Sequence, residues 1–330
     1  MKILVVRFSS IGDIVLTSPV IKALKDQIAG AEVHYLTKAK FSDLVKYDPS
    51  VNKLHLITRE IDEIRDELVA EKFDVIIDLH NNLRTHRLSS MLKVKTHRFP
   101  KLNFKKWLLV RFKINQMPDL HVVDRYFMAV EKLGVKNNVR SLFYFPDPKV
   151  EDISTFLLPD EYITIAIGAQ FATKRMPNEL LREIIDKLDL PVVLIGGKED
   201  QERAEELKHD DQIINLCGYL SISGSAAVVE SSLCLVTNDT GMMHIASAGK
   251  VPIVSVWGNT VPELGMYPYR PDDKASYSIH EVEGLNCRPC SKIGYQKCPK
   301  GHFNCMRQQN ADAIVNQINH FLQKTTSSAQ

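Results

Sequence analysis

The sequence predicts an α/β fold of two domains, each built around a parallel β-sheet. The chain has 330 residues and is 44% hydrophobic, whereas single domains rarely grow much past ~250 residues, so two cores are expected. Short, almost wholly apolar runs alternate with helical patterns, as in parallel strands that helices cover on both faces. This series occurs twice along the chain.

The strands of the two series can be read directly from the sequence. The first half contains KILVVRF, EVHYLT, KLHLI and FDVIIDL, and the second contains YITIAI, PVVLIG, QIINL, LCLVTN and PIVSVWG. Between them, LFYFPDPKVEDISTFLLPDEY combines prolines and acids and predicts a linker near residue 150. We therefore expect domains at 1–150 and 151–330, with sheets that face each other across a cleft. Residues 310–323 predict a final amphipathic helix, expected to pack back on the first domain.

Charge and cysteine content limit the class of protein. The chain carries 42 Lys+Arg and 40 Asp+Glu, so any basic surface must be local. The apolar run before Arg7 is too short for a signal peptide, and no run approaches the ~18 residues that cross a bilayer. We expect a cytoplasmic location, where the six cysteines are thiols or metal ligands.

An acid follows the first predicted strand in SSIGDIVLTSPVIKAL, residues 9–24. Asp13 lies in the turn between this strand and an amphipathic helix. Such a carboxylate can accept the unpaired amides of the first helical turn. It can also act in chemistry, because crevices of doubly wound sheets open at the carboxyl ends of their strands.

The strongest local motif is NDTGMMH, which starts where another predicted strand ends. Asp239 and Thr240 lie in the turn, and Gly241 starts a helix whose free amides and partial positive charge suit a phosphate. His244, one turn further, can face the same anion. Considered alone, the segment is also explained by a helix cap and an ordinary histidine.

A second loop of this kind supports the phosphate interpretation. GAQFATKRMP follows a predicted strand, and Lys174 and Arg175 would lie beside the Asp239 turn if the two strands are neighbours. A diphosphate fits between them. Asp200, after the paired glycines of PVVLIGG, can bind ribose hydroxyls or favour the helix dipole.

Residues 79–118 form a basic segment without a single acid. Its cations are Arg84, Arg87, Lys93, Lys95, Arg98, Lys101, Lys105, Lys106, Arg111 and Lys113. Aromatic and aliphatic residues lie between them, which is typical of contact with an anionic membrane surface or an acidic glycolipid. Nucleic acid is not expected, since no RNA-binding or helix-turn-helix pattern accompanies the charge.

CRPCSKIGYQKCPKGHFNC gathers four cysteines in nineteen residues. Cys287, Cys290, Cys298 and Cys305 can hold a structural zinc ion, and a packed cluster of reduced thiols explains them equally well.

Together these motifs resemble the lipopolysaccharide heptosyltransferases of glycosyltransferase family nine. The match rests on RFSSIGDIVLTSPVIKALK, DLHNNLRT, TKRMP, TNDTGMMHIASA, VWGNTVPE and the cysteine-rich tail, in the family's order. The resemblance implies the GT-B architecture, in which two Rossmann-like domains face each other, the first binding the acceptor and the second the nucleotide sugar. It also implies an inverting transfer of heptose from ADP-heptose to the lipopolysaccharide inner core, without a metal or other catalytic cofactor.

The resemblance also implies residue roles. Asp13 takes the place of the proposed catalytic base, and Lys174 that of the lysine on the donor diphosphate. Ser10, Gly12 and Arg84 would bind the acceptor. The expected donor-binding set is Ala169, Thr173, Lys174, Asp200, Asp239, Thr240, Gly241 and His244.

Two departures from the family pattern concern the substrates. Ala169 and Gln170 stand where hydroxyl residues are usual before the lysine, which leaves Thr173 as the nearest hydroxyl. His80 and Asn81 lie within DLHNNLRT where a Gln-Gly pair is common. A glycosyltransferase with another nucleotide sugar and acceptor is therefore an alternative.

For the enzyme we expect peripheral contact with the anionic cytoplasmic face of the inner membrane through residues 84–113. The alternative from another class is a membrane-surface binding protein that has kept the fold and lost catalysis. A dinucleotide oxidoreductase is disfavoured, because RFSSIGD lacks the GxGxxG run that lets the backbone approach a pyrophosphate.

Overall fold

The computed structural model describes residues 1–150 and 153–328 and divides into two compact units. The first comprises Met1–Leu102 and Leu120–Asp147, and the second comprises Asn103–Asp119 and the chain from Pro148 onward. Residues 103–119, which the sequence places in the first domain, thus belong by their contacts to the second unit. The predicted linker includes residues 151 and 152, which lie outside the described residues.

The first unit is built around a five-stranded parallel sheet in the order β3-β2-β1-β4-β5. Its strands are β1 (Lys2–Val6), β2 (Glu32–Lys38), β3 (Lys53–Ile57), β4 (Val75–Asp78) and β5 (Thr96–Arg98). Its helices are α1 (Ile11–Val15), α2 (Ser18–Gln27), α3 (Arg65–Ala70), α4 (Leu83–Leu92) and α6 (Val122–Phe127). The four predicted strands of this half are confirmed. Strand β5 was missed, because three residues within a charged segment give no apolar run.

The second unit holds a six-stranded parallel sheet in the order β11-β10-β9-β6-β7-β8. Its strands are β6 (Ile163–Ala166), β7 (Val192–Ile195), β8 (Ile213–Asn215), β9 (Cys234–Asn238), β10 (Ile253–Trp257) and β11 (Tyr277–Glu281). The five predicted strands are confirmed, and β11 was missed because this edge strand is only half-buried along its length. The predicted fold class, two parallel α/β units, is correct.

Seven helices lie in the described part of the second unit. They are α5 (Asn103–Phe112), α7 (Asn178–Ile185), α8 (Gln201–Glu205), α9 (Ile222–Glu230), α10 (Gly241–Ala248), α11 (Asn304–Arg307) and α12 (Ala311–Ser328). The predicted final helix corresponds to α12. Its buried side chains Ile314, Ile318 and Phe321 lie in the core of the second unit, and its expected packing on the first domain stays a prediction.

The strand order fixes where ligands can bind in each unit. In both sheets the order reverses at the first strand, between β1 and β4 and between β6 and β9. The loops that leave these two pairs diverge to opposite faces and leave a crevice at the carboxyl ends of the strands. Asp13 follows β1, and Lys174 and Asp239 follow β6 and β9, so all three lie in loops at such positions. None of the described helices combines the length and the apolar character that a membrane-crossing segment requires.

Candidate active site

Asp13 is held by a capping box and an ion pair. It is the third residue of α1, and its Oδ2 accepts hydrogen bonds from the N–H (3.1 Å) and the hydroxyl (2.8 Å) of Ser10. Its other oxygen lies 2.5 Å from Nη2 of Arg7. The capping interpretation is therefore correct, and one oxygen is left in contact with a single buried cation.

Arg7 is fixed in turn by the backbone of the same unit. Its Nε donates to the carbonyl of Ser9 at 2.8 Å and its Nη1 to that of Leu79 at 2.5 Å. Its guanidinium also lies 5.9 Å from the ring centre of Tyr126. These contacts fix the position of the Arg7 guanidinium. The Asp13 carboxylate therefore faces a positive charge that does not move.

These contacts decide the protonation of Asp13. Burial by itself raises the pKa of this carboxyl, but the charge of Arg7 and the hydrogen bonds from Ser10 outweigh it and lower the pKa to about 2. Its side chain remains 23% exposed. Asp13 is thus an ionised carboxylate at neutral pH with a surface that solvent can reach.

The loop after β4 forms the other side of this crevice in the first unit. Asp78 ends β4 and accepts hydrogen bonds from the N–H groups of His80 and Asn81, at 3.1 and 2.6 Å. The ring of His80 packs 5.1 Å from that of Phe8. Burial and the charge of Arg7 lower the pKa of His80 to about 3, so this imidazole is neutral.

The three predicted acceptor residues are in different surroundings. Ser10 and Gly12 flank Asp13, and the hydroxyl of Ser10 donates to its carboxylate. Arg84 lies on the first turn of α4, half-exposed, with Nη2 at 3.7 Å from Oε1 of Glu60. Arg84 is therefore an exposed guanidinium with one loose contact to a surface acid, and it remains accessible to a ligand.

In the second unit, Lys174 and Asp239 are brought together as their spacing predicts. Since β6 and β9 are neighbours, with Ala166 paired to Thr237, the loops that follow them meet. The Lys174 ammonium donates to Asp239 Oδ2 at 2.5 Å and to the Asp239 carbonyl at 3.1 Å. The hydroxyl of Thr260 donates to the same Oδ2 at 2.8 Å.

The start of α10 adds unpaired amides to this pair. Thr240 is the N-cap of α10, and its side chain makes no capping hydrogen bond to the first turn. The N–H groups at Gly241 and Met242 therefore keep their capacity to bind an anion. His244 is only 2% exposed, so it lies beneath this surface and not on it, and its contact with an anion remains a prediction.

Two residues predicted to bind the sugar donor make hydrogen bonds within the protein. The hydroxyl of Thr173 donates to the carbonyl of Tyr295 at 3.0 Å and accepts from the N–H of Tyr295 at 2.8 Å. The carbonyl of Ala169 accepts from Nε of Arg175 at 2.8 Å. Thr173 is buried, so its hydroxyl anchors the loop that carries Lys174.

Asp200 is deeper than a ribose-binding acid would be expected to lie. It is 1% exposed and accepts a hydrogen bond from the N–H of Gly197 at 3.1 Å. A Cβ at Gly168 would lie 2.5 Å from its Oδ2, which explains the glycine there. Asp200 holds two glycine loops together, and its ribose-binding role remains a prediction.

The cysteine-rich segment contains free thiols. Cys287, Cys290, Cys298 and Cys305 are unpaired by disulfides. The Cys290 thiol donates to the carbonyl of Cys287, and Cys287 Sγ lies 3.9 Å from Nε2 of His302. Within the described part of the chain, the side chains placed closely enough for metal binding do not include these cysteines. The structure thus gives no support to a structural zinc ion among these cysteines, and the cluster of reduced thiols stays a prediction.

The sequence analysis missed two residues that the geometry places in contact with the predicted acids. Arg7 directly follows β1 and pairs with Asp13, and Thr260 follows β10 and bonds Asp239. Arg7 follows β1, a switch-point strand, and Thr260 follows β10, the neighbour of switch-point strand β9, and these positions were a usable signal. If this position is not taken into account, the sequence does not distinguish an arginine after a strand from an ordinary surface residue.

Comparison with known proteins agrees with this geometry. The family model described as glycosyltransferase family 9 (heptosyltransferase) matches residues 61–295. Lipooligosaccharide heptosyltransferase 2 of Haemophilus ducreyi is 23% identical and covers 98% of this chain and 99% of its own length.

Solved structures share the fold. The glycosyl transferase family 9 protein of Veillonella parvula aligns with a TM-score of 0.78 at 21% identity, over 98% of this chain and 97% of its own. The E. coli ADP-heptose lps heptosyltransferase II aligns with a TM-score of 0.71 at 21% identity, over 99% and 100%. Since the family model spans well over half of the residues, this chain belongs to glycosyltransferase family 9, the heptosyltransferase family.

Proposed function

We propose that this chain transfers heptose from ADP-heptose to the inner core of lipopolysaccharide. The proposal is supported by the family membership and by relatives whose names specify lipooligosaccharide heptosyltransferase 2 and ADP-heptose lps heptosyltransferase II. The observation that carries it is the Lys174–Asp239 pair beside the open N-terminus of α10. This is a diphosphate-binding arrangement at the switch point of a Rossmann-like sheet.

The second unit would stabilise the leaving group. As the bond from the anomeric carbon to ADP breaks, negative charge builds on the diphosphate. Lys174 supplies one positive charge, and the amides at the start of α10 supply fixed dipoles, with His244 beneath them. We propose that these groups carry out the stabilisation without a metal ion.

The first unit would activate the acceptor. An acceptor hydroxyl is a poor nucleophile at neutral pH, so Asp13 would take its proton as the oxygen attacks the anomeric carbon. A single displacement from the face opposite ADP inverts that carbon. Ser10 and Gly12 flank the base, and Arg84 would bind an acid group of the acceptor sugar.

A pKa of about 2 makes Asp13 a weak base in the free protein. Arg7 causes this shift, but it also guarantees an ionised carboxylate ready to accept a proton. The oxocarbenium character that develops at the sugar makes the acceptor hydroxyl more acidic as it bonds, so the proton transfers late in the step. Asp13 therefore needs correct placement more than high basicity.

The direct test is turnover with defined substrates. The full chain, ADP-heptose and a heptose-deficient core acceptor should give ADP and an acceptor heavier by one heptosyl residue, with inverted anomeric configuration by NMR. Activity should persist after treatment with a chelator. No product with any core acceptor would overturn the proposal, and product that needs added metal would overturn its metal-free part.

One observation supports testing an alternative nucleotide sugar as the donor. The Thr173 hydroxyl is occupied by Tyr295, and Ala169 has no hydroxyl, so this loop offers phosphate fewer side-chain donors than the family pattern implies. Thermal shifts with ADP, UDP and GDP distinguish the donors, because a nucleotide that binds only the folded state stabilises it by ~2.7 kcal/mol at 100 times its Kd. ADP should give the largest shift.

We further propose that helix α5 contacts an anionic membrane surface within the basic segment 84–113. Phe104, Trp107 and Phe112 are 68%, 51% and 53% exposed. Their rings lie in contact, with centroids 5.8 Å apart for Phe104–Trp107 and 5.1 Å for Trp107–Phe112. Basic residues flank this aromatic cluster, which suits insertion among anionic head groups. On this basis the enzyme would work at the inner membrane's cytoplasmic face, where its lipid-linked acceptor is made.

A further inference from the structure

A buried histidine pair lies in the first unit, away from the residues assigned to transfer. His34 is the third residue of β2 and His55 the third residue of β3. Both side chains are 1% exposed, and His34 Nδ1 lies 2.9 Å from His55 Nε2. Phe73 packs edge-on against both rings, 5.3 and 5.9 Å away. Packing thus fixes the two imidazoles edge to edge, with a nitrogen of one directed at a nitrogen of the other.

Carboxylates determine which ring nitrogens carry protons. His34 Nε2 lies 2.8 Å from Oε1 of Glu32, and His55 Nδ1 lies 2.7 Å from Oε1 of Glu67. Both glutamates are half-exposed, and a carboxylate can only accept hydrogen bonds. Each histidine must therefore donate its outer N–H to a carboxylate.

This assignment leaves two lone pairs in direct opposition. In neutral imidazoles, the inner nitrogens, His34 Nδ1 and His55 Nε2, are both acceptors. Two acceptors 2.9 Å apart in a buried place repel each other unless a cation lies between them. A carboxylate behind a histidine whose other nitrogen faces inward is also the arrangement that orients metal-binding histidines.

Glu71 supplies a third donor and negative charge. Its Oε2 is 4.0 Å from His34 Nδ1, and the donor atoms of His34, His55 and Glu71 all lie within 4.8 Å of one another. Lys2 and Lys53 pair with Glu71 at 2.8 and 2.5 Å. With Glu32 and Glu67, three carboxylates face two ammonium groups, so one negative charge remains to attract a cation.

We propose that His34, His55 and Glu71 form a binding site for a divalent transition-metal ion, best matched by Zn²⁺. Two imidazoles and one carboxylate are borderline donors that suit this ion. Ligands of a tetrahedral Zn²⁺ at ~2.0–2.1 Å lie about 3.3 Å apart, which requires the two nitrogens to separate by only a few tenths of an ångström. The site ties β2, β3 and the end of α3 together, so its role is structural.

The test is a titration of the chelator-treated full chain with Co²⁺ as a spectroscopic substitute for Zn²⁺. A site of nitrogen and oxygen donors gives visible d–d absorption without a sulfur-to-cobalt charge-transfer band, which separates it from any binding by the cysteines. We expect one such ion per chain, displaced by Zn²⁺, and a rise in melting temperature with Zn²⁺. A cysteine-type spectrum alone, or no binding at micromolar Zn²⁺, would overturn the proposal and leave a shared proton between the histidines.

Substitutions at and behind the proposed ligands keep the Co²⁺ titration specific even if one buried substitution disturbs folding. His34→Gln and Glu71→Gln should abolish the nitrogen–oxygen spectrum. Glu67→Ala alters a half-exposed residue behind His55 and should weaken Co²⁺ binding ~10–100-fold with the fold intact. His209→Gln, on an exposed histidine of the second unit, is the control and should bind as the parent does. Parental affinity in Glu67→Ala and Glu71→Gln would refute the site.

Discussion

The ammonium of Lys174 lies 2.5 Å from Oδ2 of Asp239, so the cation best placed to hold a diphosphate is already paired with a carboxylate. A phosphate must share this lysine with Asp239 or displace it. The pairing keeps a partly buried charge satisfied before the donor arrives and holds the lysine in position. If Lys174 holds the donor diphosphate, as we propose, the site is preorganised and the acid moderates its affinity for the donor.

Lys174→Met should weaken ADP binding at least ~10-fold, because a charge-assisted hydrogen bond to phosphate contributes ~1.5–3 kcal/mol. Isothermal titration calorimetry of the full chain with ADP measures this. Lys187→Met is the matched control, since Lys187 is an ion-paired lysine of the same unit that pairs with Glu183 and Asp312 at the surface. Equal ADP affinities for both variants would move the diphosphate site away from Lys174.

Thr260→Val removes the hydroxyl that donates to Asp239 Oδ2 and keeps the side-chain shape. We expect a loss of ~1–2 kcal/mol in the free energy of unfolding, because a buried carboxylate oxygen loses one donor. Thr164→Val is its control: Thr164 is equally buried in β6, and its hydroxyl has no hydrogen-bond partner. That change should be neutral or stabilising.

Chemical denaturation of both threonine variants, followed by ADP titration, checks the argument. Thr260→Val should also weaken ADP binding, because Asp239 then holds Lys174 less firmly. If the two variants lost equal stability, the hydrogen bond from Thr260 would contribute nothing specific.

Asp13→Asn should lower the rate of heptose transfer at least ~10²-fold while ADP affinity stays within about twofold, because the amide keeps the shape but cannot accept the proton. Steady-state kinetics and calorimetry give the two values. Asp26→Asn, on an exposed acid of α2, is the control and should leave both unchanged. Parental turnover in Asp13→Asn would eliminate this residue as the base.

The sequence was sufficient to predict the parts of the site that follow buried strands. Asp13, Lys174 and Asp239 each come after an apolar run, and parallel topology alone places such residues at one edge of a sheet. The sequence did not reveal what each acid would pair with. The Asp13–Arg7 bond depends on how a loop turns back on itself, and the commitment of Thr173 to Tyr295 joins residues 122 positions apart.

The sequence also did not reveal how deeply the predicted site residues are buried. His244 and Asp200 occur in motifs that read as ligand-binding, yet both are almost fully buried. A motif specifies the spacing of side chains along the chain, whereas exposure depends on the elements that later pack over them. The same reason explains the edge strands β5 and β11, whose half-solvated surroundings leave no apolar signature.

Arg7→Met should change the pH dependence of transfer. In the parent, Arg7 and Ser10 outweigh burial and hold the pKa of Asp13 at about 2. The carboxylate is therefore ionised at every pH above ~4, and kcat/KM should show no acid limb from Asp13 between pH 5 and 8. Without Arg7, burial is less opposed and the pKa rises, so the base becomes protonated as the pH falls and activity is lost on the acid side.

The profile of kcat/KM against pH for the parent, Arg7→Met and Arg87→Met measures this shift. Arg87 is an exposed arginine of α4 that pairs with Asp62, so its variant should keep the parental profile. If Arg7→Met, like the parent, showed no acid limb between pH 5 and 8, this ion pair would not set the protonation of the base.

The exposed aromatic cluster on α5 leads to a prediction about membrane binding. Leu109, on the buried face of the helix, packs against Val261 and Leu264 of the same unit, so the helix is anchored with Trp107 outward. Trp107→Ala removes the exposed half of an indole side chain, about 100 Å² of surface, which at ~25 cal/mol per Å² is about 2.5 kcal/mol, or roughly 50- to 100-fold weaker partitioning. Flotation with vesicles of anionic and of neutral lipid measures it.

Tyr219→Ala is the control, because Tyr219 is 62% exposed on the same unit but lies outside the basic segment. Binding of the parent should need anionic lipid and weaken as salt rises, since each near-surface cation contributes ~1 kcal/mol through a screened attraction. If Trp107→Ala and Tyr219→Ala lost vesicle binding equally, the binding would be non-specific. Full binding by Trp107→Ala would remove α5 from the membrane contact and leave the cations of residues 84–98 to account for it.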